Sequence, residues 1–163
     1  MTEQYRVPKR EVIAEVVLFG QPPASMTIFL SDRAETHSGF ERPSDLLNRA
    51  GAFIPAAEKK GGLVLLRRDA VTTLSVLASD ELGGGEPRAE DLAAEQATRL
   101  QVEIVLEDGS KACGTLTYLM PEGERRLLDF LNLPEGFITL RDGDRIRLVN
   151  KNRIARITTA GPR

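Results

Sequence analysis

The chain has 163 residues, of which 41% are hydrophobic and 28% are charged, and its net charge is −2. This balance is ordinary for a soluble globular protein, and the charge gives no overall attraction to nucleic acid or to an anionic membrane. The single cysteine, Cys113, excludes an intrachain disulfide and a cysteine-rich zinc site. No apolar run approaches the roughly 20 residues of a membrane helix, and the N-terminus lacks a signal-peptide pattern, so we expect a cytoplasmic protein without membrane contact.

Short segments of the first half recur in the second half. The segments are 15–18 (Glu-Val-Val-Leu) and 103–106 (Glu-Ile-Val-Leu), 45–48 (Asp-Leu-Leu-Asn) and 129–132 (Asp-Phe-Leu-Asn), and 53–54 and 137–138 (both Phe-Ile). A repeat of this length is a whole structural unit. We therefore predict a first repeat at 10–78, an acidic and partly helical linker at 79–99, and a second repeat at 100–160. Units this small have marginal cores, so we expect the repeats to pack together about a pseudo-twofold axis that buries equivalent faces.

The first repeat predicts five strands and one short helix. Hydrophobic and β-branched runs place the strands at 11–19, 25–31, 52–57, 62–67 and 70–77, with the helix near 44–50. Pro43 stands at a favourable first-turn position of that helix. Phe53 aligns with Phe137, and we expect both to be core positions where alanine costs about 3–5 kcal/mol.

The second repeat predicts the same order of elements. Strands are expected at 102–106 and 112–119, 137–141, 145–149 and 153–159, with a helix at 124–131. Asp108-Gly109 between the first two strands is a strong hairpin signal, because glycine tolerates the positive φ of tight turns. Asn132 is expected to end the helix in a left-handed conformation.

Five short strands in each repeat would leave open edges, and a small curled barrel removes them. We therefore predict a mainly β fold of two tandem five-stranded barrels, each with a short helix between strands 2 and 3. The segment 102–116, Val-Glu-Ile-Val-Leu-Glu-Asp-Gly-Ser-Lys-Ala-Cys-Gly-Thr-Leu, resembles the first two strands of an Sm-like (SH3-type) barrel. The segment 148–154, Leu-Val-Asn-Lys-Asn-Arg-Ile, resembles the corner that closes such a barrel.

This resemblance implies a barrel fold and, more narrowly, RNA binding at the closing corner. The bacterial RNA chaperone of the Sm-like family carries Lys-His there, and this chain has Lys151-Asn152, so only Lys151 carries over. Members of the family place their helix before the first strand, whereas here it falls between strands 2 and 3. The duplicated pattern is also similar to uncharacterised bacterial proteins of unknown function.

A local excess of basic residues marks the segment 141–156, which has six basic residues against Asp142 and Asp144. A basic strand face can bind the phosphates of RNA or DNA. It can equally pair with the acidic linker, and the matching charge excess favours that pairing. Trp is absent, so stacking groups for nucleic-acid bases are scarce. The candidate binding residues are Arg145, Arg147, Lys151 and Arg153.

The repeated polar residues are Asp45, Asn48, Asp129 and Asn132. We interpret them as structural, because short helices need side chains that satisfy their terminal backbone groups. The only histidine, His37, stands in a loop and is expected to face solvent. Cys113 is expected to pack as a small apolar residue.

No motif of nucleophilic, metal or phosphate chemistry accompanies these residues, so we assign no catalytic, cofactor-binding or metal-binding residue and predict no cofactor. The sequence favours a non-enzymatic bacterial adaptor or assembly module that binds another protein through the rims and edges of its barrels. Two alternatives stay open: an Sm-like RNA- or DNA-binding protein, and a small-ligand receptor or enzyme in the cleft between the repeats. A homo-oligomer is also left open.

Overall fold

Hydrophobic strands dominate the fold, which we describe from a computed structural model that covers residues 9–31, 39–49, 51–82, 97–119 and 126–159. Among these residues, ten antiparallel strands form one open sheet, and the helices are short. The mainly β prediction is therefore confirmed. The sheet order does not show two closed five-stranded barrels.

Each repeat contains its elements in the predicted order of strand, strand, helix, strand, strand, strand. The first repeat comprises β1 Lys9–Leu18, β2 Ala24–Ser31, α1 Pro43–Asn48, β3 Phe53–Glu58, β4 Leu63–Arg67 and β5 Val71–Leu77, followed by α2 Ala78–Leu82. The second comprises β6 Thr98–Leu106, β7 Lys111–Tyr118, α3 Leu127–Leu131, β8 Phe137–Asp142, β9 Arg145–Asn150 and β10 Ile154–Thr159. A 3-10 turn joins strands 4 and 5 of each repeat, at Arg68–Ala70 and Lys151–Arg153.

Local sequence explains the hairpins and the helix starts. Gly109 adopts a φ of 87° in the tight turn between β6 and β7, as the Asp-Gly signal predicts. Pro43 occupies the first turn of α1, where its missing N–H has no helical partner to lose. Buried residues alternate along β2, because one side of this strand faces the core and the other faces away from it.

The pairing registers of the two repeats correspond residue by residue. Glu15 lies opposite Ser25 in the first hairpin, and Glu103 lies opposite Cys113 in the second, each 88 residues later. Both repeats also have a register irregularity where strand 1 meets the start of strand 5. The segments 15–18 and 103–106 therefore occupy the same place in their repeats.

The repeats join head to tail and not about a twofold axis. The strand order across the sheet is β10-β6-β7-β8-β9-β5-β1-β2-β3-β4. Strand 5 of the first repeat, β5, thus pairs with strand 4 of the second repeat, β9, from Thr73 opposite Val149 to Leu77 opposite Arg145. A twofold axis would bring equivalent strands together, whereas strand 5 meets strand 4 at this seam. The expectation of a pseudo-twofold axis is therefore wrong. In the part of the chain that the structure describes, strand 4 of the first repeat and strand 5 of the second are the two edges of the sheet.

The core has two buried clusters that share the seam. The first cluster lies within the first repeat but also includes Phe137, Ile146 and Leu148 of the second. The second cluster includes Ile138, Leu140 and Val149. Successive residues of β9 therefore point into different cores, since side chains alternate between the two faces of a strand. This shared strand fastens the repeats together.

Candidate protein-binding edge

The edge strand β4 and its neighbour β3 expose three large apolar side chains. Within the described part of the chain β4 pairs only with β3, so one side of its backbone has no strand partner. Phe53 of β3 is 61% exposed, and Leu63 and Leu65 of β4 are 72% and 63% exposed. The pairing of Phe53 with Arg67 and of Pro55 with Leu65 puts all three apolar side chains on one face of the hairpin. We call Phe53, Leu63 and Leu65 the edge patch.

The same three positions are buried in the second repeat. The strand registers align Phe53 with Phe137, Leu63 with Ile146, and Leu65 with Leu148. These equivalents are 5%, 3% and 0% exposed, and they pack into the core of the first repeat. The prediction that Phe53 and Phe137 are both core residues is therefore wrong for Phe53. Its position in the repeat is the same, but nothing in the described residues covers it.

Polar contacts hold the buried equivalent in place. The Asn48 Oδ1 accepts a hydrogen bond from the backbone N–H of Phe137 at 2.9 Å. The buried Asn150 Nδ2 donates to the backbone oxygens of Asp69 and Val71, at 3.1 and 3.0 Å. Both amides thus satisfy backbone groups across the seam, where unpaired buried groups would be costly.

The surface that receives this hairpin also occurs twice. In the first repeat it is formed by Leu47 of α1 and by Val71 and Leu74 of β5, all of them fully buried. Their equivalents in the second repeat are Leu131 of α3 and Ile154 and Ile157 of β10, which are only partly buried. We call Leu131, Ile154 and Ile157 the acceptor face. The chain therefore contains one completed seam and both halves of another.

Three of the predicted basic residues, Arg145, Arg147 and Arg153, lie along the completed seam, and Lys151 binds within the second repeat. The Arg145 Nη2 donates to the backbone oxygen of Ser75 at 3.3 Å. The Lys151 Nζ donates to the backbone oxygens of Leu131 and Leu133, at 2.9 and 2.5 Å, and burial lowers the pKa of this amine. Three of the four predicted residues therefore donate hydrogen bonds within the protein. They are Arg145, Lys151 and Arg153.

Arg153 fastens the second repeat to the first. Its Nε donates to the backbone oxygen of Asp69 at 3.2 Å, and its guanidinium lies 4.6 Å from the ring centroid of Phe19. It also forms ion pairs with Asp69 and Glu107, at 3.8 and 3.5 Å. The guanidinium of Arg147 makes no hydrogen bond or ion pair within the described part of the chain. Of the linker acids expected to pair with this basic segment, those at 86–95 lie outside the described residues.

The repeated polar residues do not share one role. The Asp45 Oδ2 accepts from the backbone N–H of Arg42 at 2.8 Å and so caps α1, as a structural residue should. Asn48 instead acts across the seam. Asp129 is half-buried on α3. Asn132 has a φ of −87°, so the prediction of a left-handed cap is wrong; its N–H continues the helix by donating to the Leu128 oxygen at 3.1 Å.

A buried polar cluster around α2 has no counterpart in the sequence predictions. The carboxyl group of Glu81 is fully buried and accepts from both the backbone N–H and the hydroxyl of Ser44. Burial raises the pKa of Glu81 to about 7. Nearby, the Glu41 carboxylate forms a 2.8 Å ion pair with Arg49. Glu81 stands in a linker rich in exposed-type residues, so no sequence signal marks it as the residue that docks α2 on α1.

A small groove opens at the seam beside the 3-10 turns. Its volume is about 180 Å³, below the range of about 300–1,000 Å³ typical of small-molecule sites. A hydrogen bond from Asn152 lowers the pKa of Asp69, which lines this groove. The other polar lining residues are Asn48, Arg68, Asn150 and Asn152. The groove is thus a polar depression in which Asn48, Asn150 and Asn152 already make hydrogen bonds within the protein.

The remaining candidate residues add no chemical site. Cys113 is exposed, so the prediction that it packs in the core is wrong; the buried inner position goes to its neighbour Ala112. His37 lies outside the described residues. Across the described ranges, no three His, Cys, Asp or Glu side chains are grouped as metal ligands would be. Nor does any helix among these residues have the length and apolar character to span a membrane.

Comparison of the chain with protein-family models, with curated proteins and with solved structures gives no match.

Proposed function

We propose that this protein is a non-enzymatic assembly module, a cytoplasmic bacterial adaptor that binds another protein chain through the β4 edge. The observation that carries the proposal is the exposure of Phe53, Leu63 and Leu65 beside an unpaired strand. A partner strand added to β4 would complete its backbone hydrogen bonds and cover the patch in one step.

Energetics support a covered state of this edge. Full burial of a Leu or Phe side chain contributes about 1.5–3 kcal/mol, so three such side chains represent a substantial driving force for association. Exposed edge strands also tend to pair without control, and proteins usually protect them with proline, inward-pointing charges or bulges. The strand β4, Leu-Val-Leu-Leu-Arg, has no proline, and its one charge is at its end. A specific partner accounts for this unprotected edge.

Within the same proposal, each repeat is an open form of the small Sm-like (SH3-type) barrel. The strand order 5-1-2-3-4 in each half and a buried cluster with members from all five strands of the first repeat support this interpretation. Strands 4 and 5 of one repeat are left free to pair with a neighbour.

Neither alternative function gains support from a particular observation. RNA or DNA binding would need free basic side chains, and Arg145, Lys151 and Arg153 are committed to contacts within the protein. A ligand receptor or enzyme in the cleft between the repeats would need a larger cavity than the seam groove.

Affinity purification from the native cell tests the proposal. The variant Leu63→Lys/Leu65→Lys places charges on the edge patch, and Ile13→Lys is a matched control because Ile13 is equally exposed but lies on the inner strand β1. We expect the wild type and the control to retain the same protein partner after nuclease treatment, and the edge variant to lose it. Equal capture by the edge variant would refute the proposal, and release of all bound material by nuclease would favour the nucleic-acid alternative.

A further inference from the structure

The seam inside the chain is a template for what covers the edge patch. It is a head-to-tail contact, in which strand 5 and the helix of one repeat receive the outer face of the strand 3–4 hairpin of the next. Contacts between unlike surfaces leave one unused surface of each kind at the two ends of the array. Here these are the edge patch in the first repeat and the acceptor face in the second.

We propose that the partner of the β4 edge is the β10 edge of a second copy of this chain. This inference depends on the proposed function, because it names the partner of the same edge. Shifting the seam register by the repeat offset of 83 residues predicts an antiparallel ladder between the two molecules. The predicted pairs are Leu63 with Thr159, Val64 with Thr158, Leu65 with Ile157 and Leu66 with Arg156.

The apolar surfaces match on both sides of this contact. At the completed seam, Leu148 lies opposite Leu74, and both are fully buried. At the proposed contact, Leu65 would lie opposite Ile157, and both are incompletely buried in the single chain. A second copy of the chain would therefore bury the edge patch of one molecule and the acceptor face of the other in the same contact. A partner unrelated to the repeat would bury only one of these two faces.

The polar contacts of the seam also have free equivalents. Asn132 is the equivalent of Asn48, is exposed, and would accept from the backbone N–H of Phe53 in the second copy. Arg67 is the equivalent of Asn150, is exposed, and carries N–H donors that could reach the backbone oxygens of Asn152 and Ile154. The repeated Asn thus has one role at two seams, the first within a chain and the second between chains.

Such a contact propagates, because each molecule offers one edge of each kind. It produces a closed ring if the rotation between successive copies adds to a full turn, and a filament if it does not. The mass of the purified protein measured by light scattering against concentration should be a multiple of the chain mass. The Leu63→Lys/Leu65→Lys variant should be a monomer, while Ile13→Lys should assemble like the wild type.

Cysteine cross-linking tests the register. In a Cys113→Ser background, Val64→Cys combined with Thr158→Cys should form a disulfide between molecules upon mild oxidation, seen as covalent multimers on a non-reducing gel. The control Val64→Cys with Ala155→Cys is three residues out of register and should remain mostly uncross-linked. Circular dichroism confirms that each variant is folded before it is scored.

Two results would overturn the inference. One is a wild-type chain that stays monomeric at concentrations of hundreds of micromolar, and the other is equal cross-linking of the matched and mismatched cysteine pairs. Either result leaves the proposed function to be decided by the capture experiment, in which a different protein could still be lost from the edge variant. Failure of the self-association and failure of the adaptor function are therefore distinguishable.

Discussion

The hairpins β3–β4 and β8–β9 hold equivalent positions in the two repeats, yet their outer faces have opposite environments. Phe137 is buried in the core of the first repeat, and Phe53 is exposed to solvent. The strand registers match, so the difference does not come from local structure. It comes from position in the array, because only the second hairpin has a repeat beside it. Burial in a repeat protein thus depends on neighbours as well as on sequence.

The largest effect should separate the two phenylalanines. Phe137→Ala should lower the free energy of unfolding by about 3–5 kcal/mol, because it leaves a cavity in a buried cluster. Phe53→Ala should cost less than about 1 kcal/mol in dilute protein, as expected for an exposed side chain. Urea unfolding at micromolar concentration measures both. Similar costs would mean that the β3–β4 face is covered within the single chain.

The second-largest effect concerns α2, which packs against α1 through Glu81 in the first repeat and has no counterpart among the described residues of the second. The exposed Leu128 occupies the position that Ser44 holds in the first repeat, so the Glu81 contact has no equivalent. Since burial raises the pKa of Glu81 from 4.5 to about 7, the folded state holds a proton there that the unfolded state releases above pH 4.5. Stability should therefore fall by roughly 3 kcal/mol as the pH rises from about 4.5 to 7, and then level off.

The variant Glu81→Gln is the control for this pH dependence, because it keeps the shape of the side chain without the titrating proton. Urea unfolding at pH 5 and pH 8 should show a smaller difference for Glu81→Gln than for the wild type. An identical pH dependence in the two proteins would show that the Glu81 carboxyl is solvated.

A third effect concerns the amide that crosses the seam from β9. Asn150→Ala should cost about 1–3 kcal/mol, since it removes three hydrogen bonds and leaves the Val71 oxygen without its side-chain donor. Arg67→Ala, at the equivalent exposed position, should change stability by no more than about 0.5 kcal/mol. Thermal unfolding of the two variants decides between them. An equally large loss for Arg67→Ala would place that guanidinium in an unrecognised contact.

The smallest effect distinguishes the repeated asparagines. Asn48→Ala should cost about 1 kcal/mol, because it removes the acceptor of the Phe137 N–H. Asn132→Ala should leave the stability of the monomer nearly unchanged and should weaken any assembly between molecules. Unfolding curves at low concentration, with light scattering at high concentration, separate the two losses. The comparison fails if Asn132→Ala destabilises the monomer as much as Asn48→Ala.

Features with a local cause could be predicted from the sequence. These features are the Asp108-Gly109 turn, the start of α1 at Pro43 and the succession of strands and helices along the chain. Each depends on residues that are close together in the sequence. The left-handed cap at Asn132 was a wrong local prediction, because the 3-10-like end of α3 satisfies its own carbonyls without it. The prediction for Cys113 is also wrong, because neighbouring residues of a strand point to opposite faces of the sheet. A shift of one residue along β7 therefore moves a side chain from the core to the surface.

The candidate edge could not be predicted, because it depends on which strands meet. Leu63 and Leu65 are as hydrophobic as core residues. Their equivalents in the second repeat, Ile146 and Leu148, are buried in the core. The burial of Glu81 could not be predicted either, because its hydrogen-bond partner Ser44 is 37 residues away and lies in α1.

A mainly β chain built from one repeated unit follows from the sequence alone, because strand alternation, turn chemistry and helix starts act over a few residues. The head-to-tail seam between β5 and β9 emerges only when the whole chain is folded, and this seam sets which copy of each hydrophobic face is buried. Hydrophobic residues require burial without specifying which residues cover them, and here the cover comes from a strand whose paired residues are 68 to 76 positions away, from Leu77 with Arg145 to Thr73 with Val149.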